Sequence, residues 1–185
     1  MKLKSYLITD PQYYTNNPTQ FKNSLIKVYQ NFKLNFVCFR DKESENYREL
    51  AKIFIEISKS FKIEKILINS YIDLAKELNF DGVHLTSTQF DKIEYAKSLN
   101  LYTICSTHNI NEIKECELKG VNAISFSPIF ITPNKGKPKG IEELKEVLKN
   151  SNIKIFGLGG IISQKHIKEL SKTSIYGFAS IRYFV

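Results

Sequence analysis

The sequence lacks any apolar run approaching the roughly 20 residues of a membrane-spanning helix, so no helical membrane span is expected. It holds only three cysteines, Cys38, Cys105 and Cys116. Their number is odd and they share no metal-ligand spacing, which leaves free thiols in a reducing cytoplasm as the expectation. Met1 to Asp10 is too short and too soon polar for a signal peptide. Zinc-finger spacing, an RNP-type aromatic motif and a basic region leading into heptads are all missing, and no nucleic-acid partner is expected. No composition break marks a linker, so residues 1–185 read as one domain, long enough to bury a substantial core.

What is present is a surplus of positive charge: 27 basic against 19 acidic residues, a net of +8. The lysines are scattered, chiefly on the polar sides of helical patterns, as a solvated surface would be. An anionic small molecule accounts for the surplus as well as a polymer does.

Eight short β-branched or aromatic runs recur: Leu3–Ile8, Phe36–Phe39, Lys65–Ile68, Gly82–Leu85, Leu101–Cys105, Val121–Phe126, Ile153–Phe156 and Ser174–Phe178. Without clean alternation, such runs suit strands covered on both faces. Helical periodicity separates them at Phe21–Phe32, Tyr47–Phe61, Ile72–Leu78, Phe90–Leu99, Ile110–Leu118, Ile141–Leu148 and Ser163–Leu170. Asn111 and Ser163 are read as N-caps and Gly120 as a helix stop. Eight alternations predict an α/β fold, a (β/α)8 TIM barrel. The chain is short for that fold, typically about 250 residues, and the last run lies close to Val185. The helix after the eighth strand is therefore expected to be missing or reduced, with a partner subunit of a homo-oligomer covering the gap.

In such a barrel, chemistry sits on the loops after the strands. Strand two runs into Arg40-Asp41-Lys42, either two cations for a ligand or a surface salt-bridge cluster with Asp41. Gly157-Leu158-Gly159-Gly160 after strand seven lets backbone N–H groups approach an anion, and barrels commonly bind phosphate there. Ser180-Ile181-Arg182 after strand eight could complete the cradle. After strand six, "SPIFITPNKGKPKG" carries Lys135, Lys137 and Lys139 and no acid, punctuated by Pro133 and Gly136. A linker on that rim would be wasted; a lid or anion clamp would not. Cations converging from several loops predict a phosphorylated ligand.

Seven stretches in order, "YLITDP", "CFRDK", "LINSYIDLA", "DGVHL", "CSTHN", "SPIFITPNK" and "GLGGI", resemble the thiamine-phosphate synthase/TenI family over nearly the whole length. The resemblance implies a (β/α)8 fold, oligomers and a place in thiamine biosynthesis. In synthases of this family, a pyrimidine diphosphate loses pyrophosphate, usually with Mg2+, and a thiazole phosphate attacks the carbocation. Carried over, Arg40 and Lys42 would grip the diphosphate, Asn69 the pyrimidine, and Ser106 and Lys135 the pyrophosphate. Thr132, Gly159, Gly160 and Ile181 would hold the thiazole phosphate.

The departures are as telling. Where synthases place their two metal-binding aspartates, this chain has Ser70 and Gln89, poor ligands for a hard dication. No tightly bound metal or cofactor is expected, and Mg2+ only with a diphosphate ligand. Asp91 is a possible substitute ligand, while Asp73 belongs on the following helix. Asn134 replaces a threonine of the family's loop and Arg182 a serine near the phosphate site. The tautomerase activity known for TenI uses a histidine that would fall at Pro128. His108 and His84 remain as acid/base candidates, His108 on the strand-five loop and His84 more inward. Cys105 reads as a buried thiol. Three readings follow: a TenI-like enzyme binding a thiazole phosphate, a thiamine-phosphate synthase without its usual aspartates, and a non-catalytic phosphate-ligand sensor.

Overall fold

In the computed structural model, which describes residues 3–185, eight parallel strands close into a barrel in sequential order. The strands are β1 (Lys4–Ile8), β2 (Phe36–Phe39), β3 (Lys65–Asn69), β4 (Gly82–Leu85), β5 (Tyr102–Thr107), β6 (Ala123–Phe126), β7 (Ile155–Gly157) and β8 (Gly177–Ser180). Closure is direct: Lys4 pairs with Gly177 and Leu7 with Ser180. β2, β4, β6 and β8 are buried at every position, as expected of strands covered on both faces.

Their inward side chains, among them Tyr6, Phe36, Leu67, Ile104 and Phe156, fill the barrel. Outward ones such as Leu7, Val37, Ile68 and Ile124 join a second, larger core beneath the helices. Those helices are α1 (Pro11–Tyr14), α2 (Pro18–Asn31), α3 (Tyr47–Lys59), α4 (Ile72–Glu77), α5 (Ile93–Ser98), α6 (Ile110–Leu118), α7 (Gly140–Lys149) and α8 (Gln164–Leu170). A 3-10 turn, Phe90–Lys92, leads into α5. No helix among the described residues is long and apolar enough to cross a membrane.

Three local readings need correction. The cap of α6 is Asn109, whose side chain accepts the Glu112 N–H, and not Asn111, which lies within the helix. α1 was not foreseen; Asp10 caps it through the Gln12 N–H and Pro11 supplies its first residue. The eighth strand starts at Gly177 instead of Ser174. A Cβ at Gly177 would stand 2.4 Å from the Lys4 carbonyl oxygen, so the small residue lets β1 and β8 meet. Ser163 caps α8 as read, and Gly120, at φ 65°, ends α6.

After β8 the described chain forms a 3-10 turn, Arg182–Phe184. Phe184 packs against Phe32 at 5.4 Å and stacks on Phe178 at 5.9 Å, with Tyr183 edge-on to both phenylalanines of the strand end. These rings cover the apolar end of the β1–β8 seam from within the chain.

Candidate active site

The C-terminal ends of the strands open into one cavity of about 500 Å3. Arg40, Lys42, Asn69, Ser106, His108, Thr132, Lys135, Gly159, Gly160, Ile181 and Arg182 all line it, so the residues named from the sequence are brought together. Four of its walls' side chains are cations and none is a carboxylate.

The cations are not equivalent. Arg40 Nη1 lies 2.5 Å from Asp10 Oδ2, so its partner is Asp10 and not the adjacent Asp41. Asp41 is buried and accepts the N–H groups of Glu43 and Ser44, shaping the turn after β2. Thr9 reinforces Arg40: its Oγ1 accepts the Arg40 N–H at 2.8 Å and donates to the Arg40 carbonyl at 3.0 Å. Lys42, Lys135 and Arg182 enter no ion pair among the described residues. Of the other lysines on the loop after β6, Lys139 is committed elsewhere, to Glu143 at 3.2 Å and over the Phe126 ring.

Gly159 and Gly160 adopt φ 94° and 69°. A Cβ at Gly160 would lie 2.6 Å from the Ile131 carbonyl oxygen, and one at Gly159 2.8 Å from Pro128 Cα. The glycines are thus required first by the loop after β6, which lies against them; Phe130 N–H donates to the Gly159 carbonyl. The N–H groups of Gly160, Ile161 and Ile181 make no hydrogen bond among the described residues, so they remain available to an anion. Ser180 ties the two segments together, donating to the Ile161 carbonyl at 2.7 Å and accepting the Tyr183 N–H at 3.1 Å. The α8 terminus contributes less than expected, because Ser163 already caps it. Thr132 donates its hydroxyl proton to the Phe130 carbonyl, which leaves it lone pairs to offer.

His84 is an interior residue. Burial, with the Arg40 charge as a lesser cause, lowers its imidazole to about 4, so the ring is neutral at pH 7. Burial also keeps the Tyr6 phenol protonated, so its O–H donates to His84 Nδ1 at 2.9 Å. The ring proton is then on Nε2, shared between Ser106 Oγ at 3.1 Å and Ser125 Oγ at 3.2 Å. Ser106 therefore accepts from below and is free to donate into the cavity. Asn69 is fixed in a comparable way, donating from Nδ2 to the His84 carbonyl at 2.7 Å.

His108 is half-buried, with Nδ1 3.0 Å from the Ser127 carbonyl. A carbonyl only accepts, so Nδ1 carries the proton and Nε2 is left as the acceptor. Cys105 is no nucleophile: contact with Cys116, then burial, push its thiol far above the ordinary range.

With this geometry in view, the comparisons with known proteins decide the family. From residue 5 to 184 the chain matches the profile of the family described as thiamine monophosphate synthase. The chain belongs to that family. It is 34% identical over 185 residues to "Putative thiamine-phosphate synthase 2" of Aquifex aeolicus (strain VF5), covering 97% of this chain and 96% of that one. It is 31% identical over 139 residues to the thiamine-phosphate synthase of Lactococcus lactis subsp. cremoris (strain MG1363), 72% of this chain and 61% of that one. Among solved structures, thiamine phosphate pyrophosphorylase from Pyrococcus furiosus superposes with a TM-score of 0.81 at 24% identity, covering 97% of this chain and 86% of that one. At that identity, the likeness establishes the fold.

The resemblance puts the Mg2+ ligands of the thiamine-phosphate synthase family at Ser70 and Gln89, and the structure shows what those two residues do. Ser70 does not line the cavity; it sits at φ 69° with its N–H donating to the His84 carbonyl at 3.0 Å. Gln89 Oε1 accepts from both the N–H and the hydroxyl of Thr86 at 3.1 Å, and its Nε2 reaches the Ser70 carbonyl at 3.5 Å. This amide is consumed in strapping two loops together. Asp91 is exposed on the turn before α5 and outside the cavity, so it cannot stand in, and Asp73 lies on α4, accepting the Tyr95 hydroxyl. No cluster of three His, Cys, Asp or Glu residues suited to a metal occurs among the described residues. The residues present do not fit Mg2+.

Proposed function

We propose that this chain is a TenI-like enzyme of thiamine biosynthesis that binds a thiazole phosphate at the rim of the barrel without a resident metal. The observation that carries the reading is the cavity's lining: four cations, free backbone N–H groups and no carboxylate. Such a site attracts an anionic ligand and gives a dication nothing to bind. The phosphate rests on Gly159, Gly160 and Ile181, with Arg182 beside it, and Thr132 borders the same end. Arg40, Lys42 and Lys135 meet any further anionic group of the ligand.

The reaction class is an isomerisation by proton transfer. His108 Nε2 takes a proton from the bound thiazole and returns it at another atom, so the composition is unchanged while a double bond moves. Its place supports the role. Its Nδ1 is held by the carbonyl of Ser127, directly before Pro128, where the resemblance would put the tautomerase histidine. An imidazole from the β5 loop thus borders the position that proline vacates.

One observation favours a second reading, thiamine-phosphate synthase. Asn69, Ser106, Arg40, Lys42 and Lys135, the set implied for the pyrimidine diphosphate, line the same cavity as the thiazole-phosphate set. The deciding assay incubates the protein with thiazole carboxylate phosphate in D2O, then with pyrimidine diphosphate and thiazole phosphate, each with and without Mg2+. Deuterium exchange without thiamine phosphate supports the isomerase. Mg2+-dependent thiamine phosphate at enzymatic rates overturns it in favour of the synthase. Tight binding without either turnover makes the protein a sensor of the phosphorylated ligand.

A further inference from the structure

Among the described residues, Asp10 is the one carboxylate that pairs with a cation of the cavity; it holds Arg40 without lining the cavity itself. About three quarters of each side chain is covered, so the pair is neither a solvated surface contact nor a desolvated core one. Three further hydrogen bonds fix its two ends. Asp10 Oδ1 accepts the Gln12 N–H at 3.2 Å, at the start of α1. Thr9 Oγ1 holds the Arg40 backbone from both sides, through its N–H and its carbonyl. Lys42, Lys135 and Arg182 have no comparable anchor among the described residues. A guanidinium is planar and presents its donors in a fixed fork, which is useful only when its orientation is held.

We propose that Asp10 is a positioning residue: by holding one edge of the Arg40 guanidinium, it turns the remaining N–H groups into the directional donors that select a two-pronged anion. The other three cations supply charge, and Arg40 supplies geometry. The assignment rests on the reading of the cavity as an anion site, and its substrate-level consequence is a preference for ligands whose second anionic group can take two parallel hydrogen bonds.

The test reads the ratio of inorganic pyrophosphate to inorganic phosphate affinity by titration calorimetry, because charge and geometry move that ratio in opposite directions. If Asp10 merely offset positive charge, its removal would favour the more highly charged anion and raise the ratio. If it orients Arg40, the Asp10→Ala protein shows a ratio about tenfold lower. Asp10→Asn keeps one acceptor oxygen where Asp10 offers two, to Gln12 and Arg40 separately, so its ratio falls between those of the parent and Asp10→Ala. In an Arg40→Ala background, Asp10→Ala then changes the ratio less than twofold. A raised ratio, or an equal fall in both backgrounds accompanied by a lower melting temperature, overturns the assignment. The parent protein failing to bind either anion overturns the anion-site reading and this one with it; normal parental binding with an additive cycle sinks the Asp10 assignment alone.

Discussion

The two ends of the cavity differ in what they are made of. The phosphate end, after β7 and β8, is backbone: N–H groups of Gly160, Ile161 and Ile181, clamped by Ser180. The opposite end, after β3 and β4, is where the family resemblance places side-chain carboxylates, and there Gln89 links to Thr86 and Ser70 by hydrogen bonds. A backbone site tolerates changes of side chain so long as the turn survives. A carboxylate site is lost with one letter. On the proposed function, the barrel offers a phosphate a backbone site at one end and offers a dication no carboxylate at the other.

The largest expected effect comes from breaking the backbone end. Gly160→Val should abolish thiazole-phosphate binding, a loss beyond a hundredfold. It should also lower the melting temperature, since its side chain would press on the backbone of Phe130 and Ile131 at about 2.6–2.7 Å. A strained positive-φ position of this kind costs about 1–3 kcal/mol before any clash is counted. Normal binding by this variant would show that the phosphate sits elsewhere.

Next in size is a pH effect centred between the two ends. The folded His84 value of about 4 is below that of the unfolded chain, near 6.5, so the unfolded state takes up a proton first as pH falls. Stability should drop between about pH 6.5 and 4 by up to about 3 kcal/mol, and be flat in this contribution above pH 7. Urea midpoints measured across that range give the slope, and His84→Gln should remove it.

A smaller effect is expected from Lys135, a point charge on an exposed loop. Lys135→Ala should weaken pyrophosphate about tenfold, roughly 1.4 kcal/mol, while phosphate changes only a few fold. Equal losses for both would place Lys135 at the phosphate end. Smallest of all is the response to metal: 5 to 10 mM Mg2+, of order physiological or above, should leave the free protein's calorimetric trace flat, reflecting the missing carboxylates. Micromolar Mg2+ binding would erase the contrast between the two ends.

Most of the strand order was readable because buried β-branched runs leave a strong local signal, and the rim rule then placed the loops. β8 was misplaced by three residues at its start because Ile175 and Tyr176 look more strand-like than Gly177-Phe178-Ala179-Ser180, whose small residues are needed for contact with β1. α1 escaped notice because four residues carry no periodicity, although Asp10-Pro11 is a start signal. Many cavity residues could be named because the rim rule points to strand ends and the loops after them. Asn69 and Ser106 lie at the ends of their strands, Arg40 and Ile181 follow theirs, and Thr132 and Lys135 lie on the loop after β6, whereas Thr86, Ser87 and Ile162 of the lining carried no signal of their own. The partners of the named residues could not be read. Asp41 looked like the mate of Arg40 because it is adjacent in sequence, whereas Asp10 reaches it across two loops. Which serine holds which segment, as Ser180 does, is likewise a tertiary fact.

The seam between β1 and β8 carries a kinetic consequence. The clasp of Phe32 with Phe178, Tyr183 and Phe184 joins the first β–loop–helix unit to the last one, so the ring is sealed by segments far apart in the chain. Contacts of that separation are slow to form, because the entropy of bringing distant segments together must be met before they reward it. The rim on which Arg40, Gly160 and Ile181 converge draws on loops from both sides of that seam. On the proposed function, a phosphate bound at that rim would stabilise the closed seam by mass action, so ligand should slow opening of the β1–β8 junction.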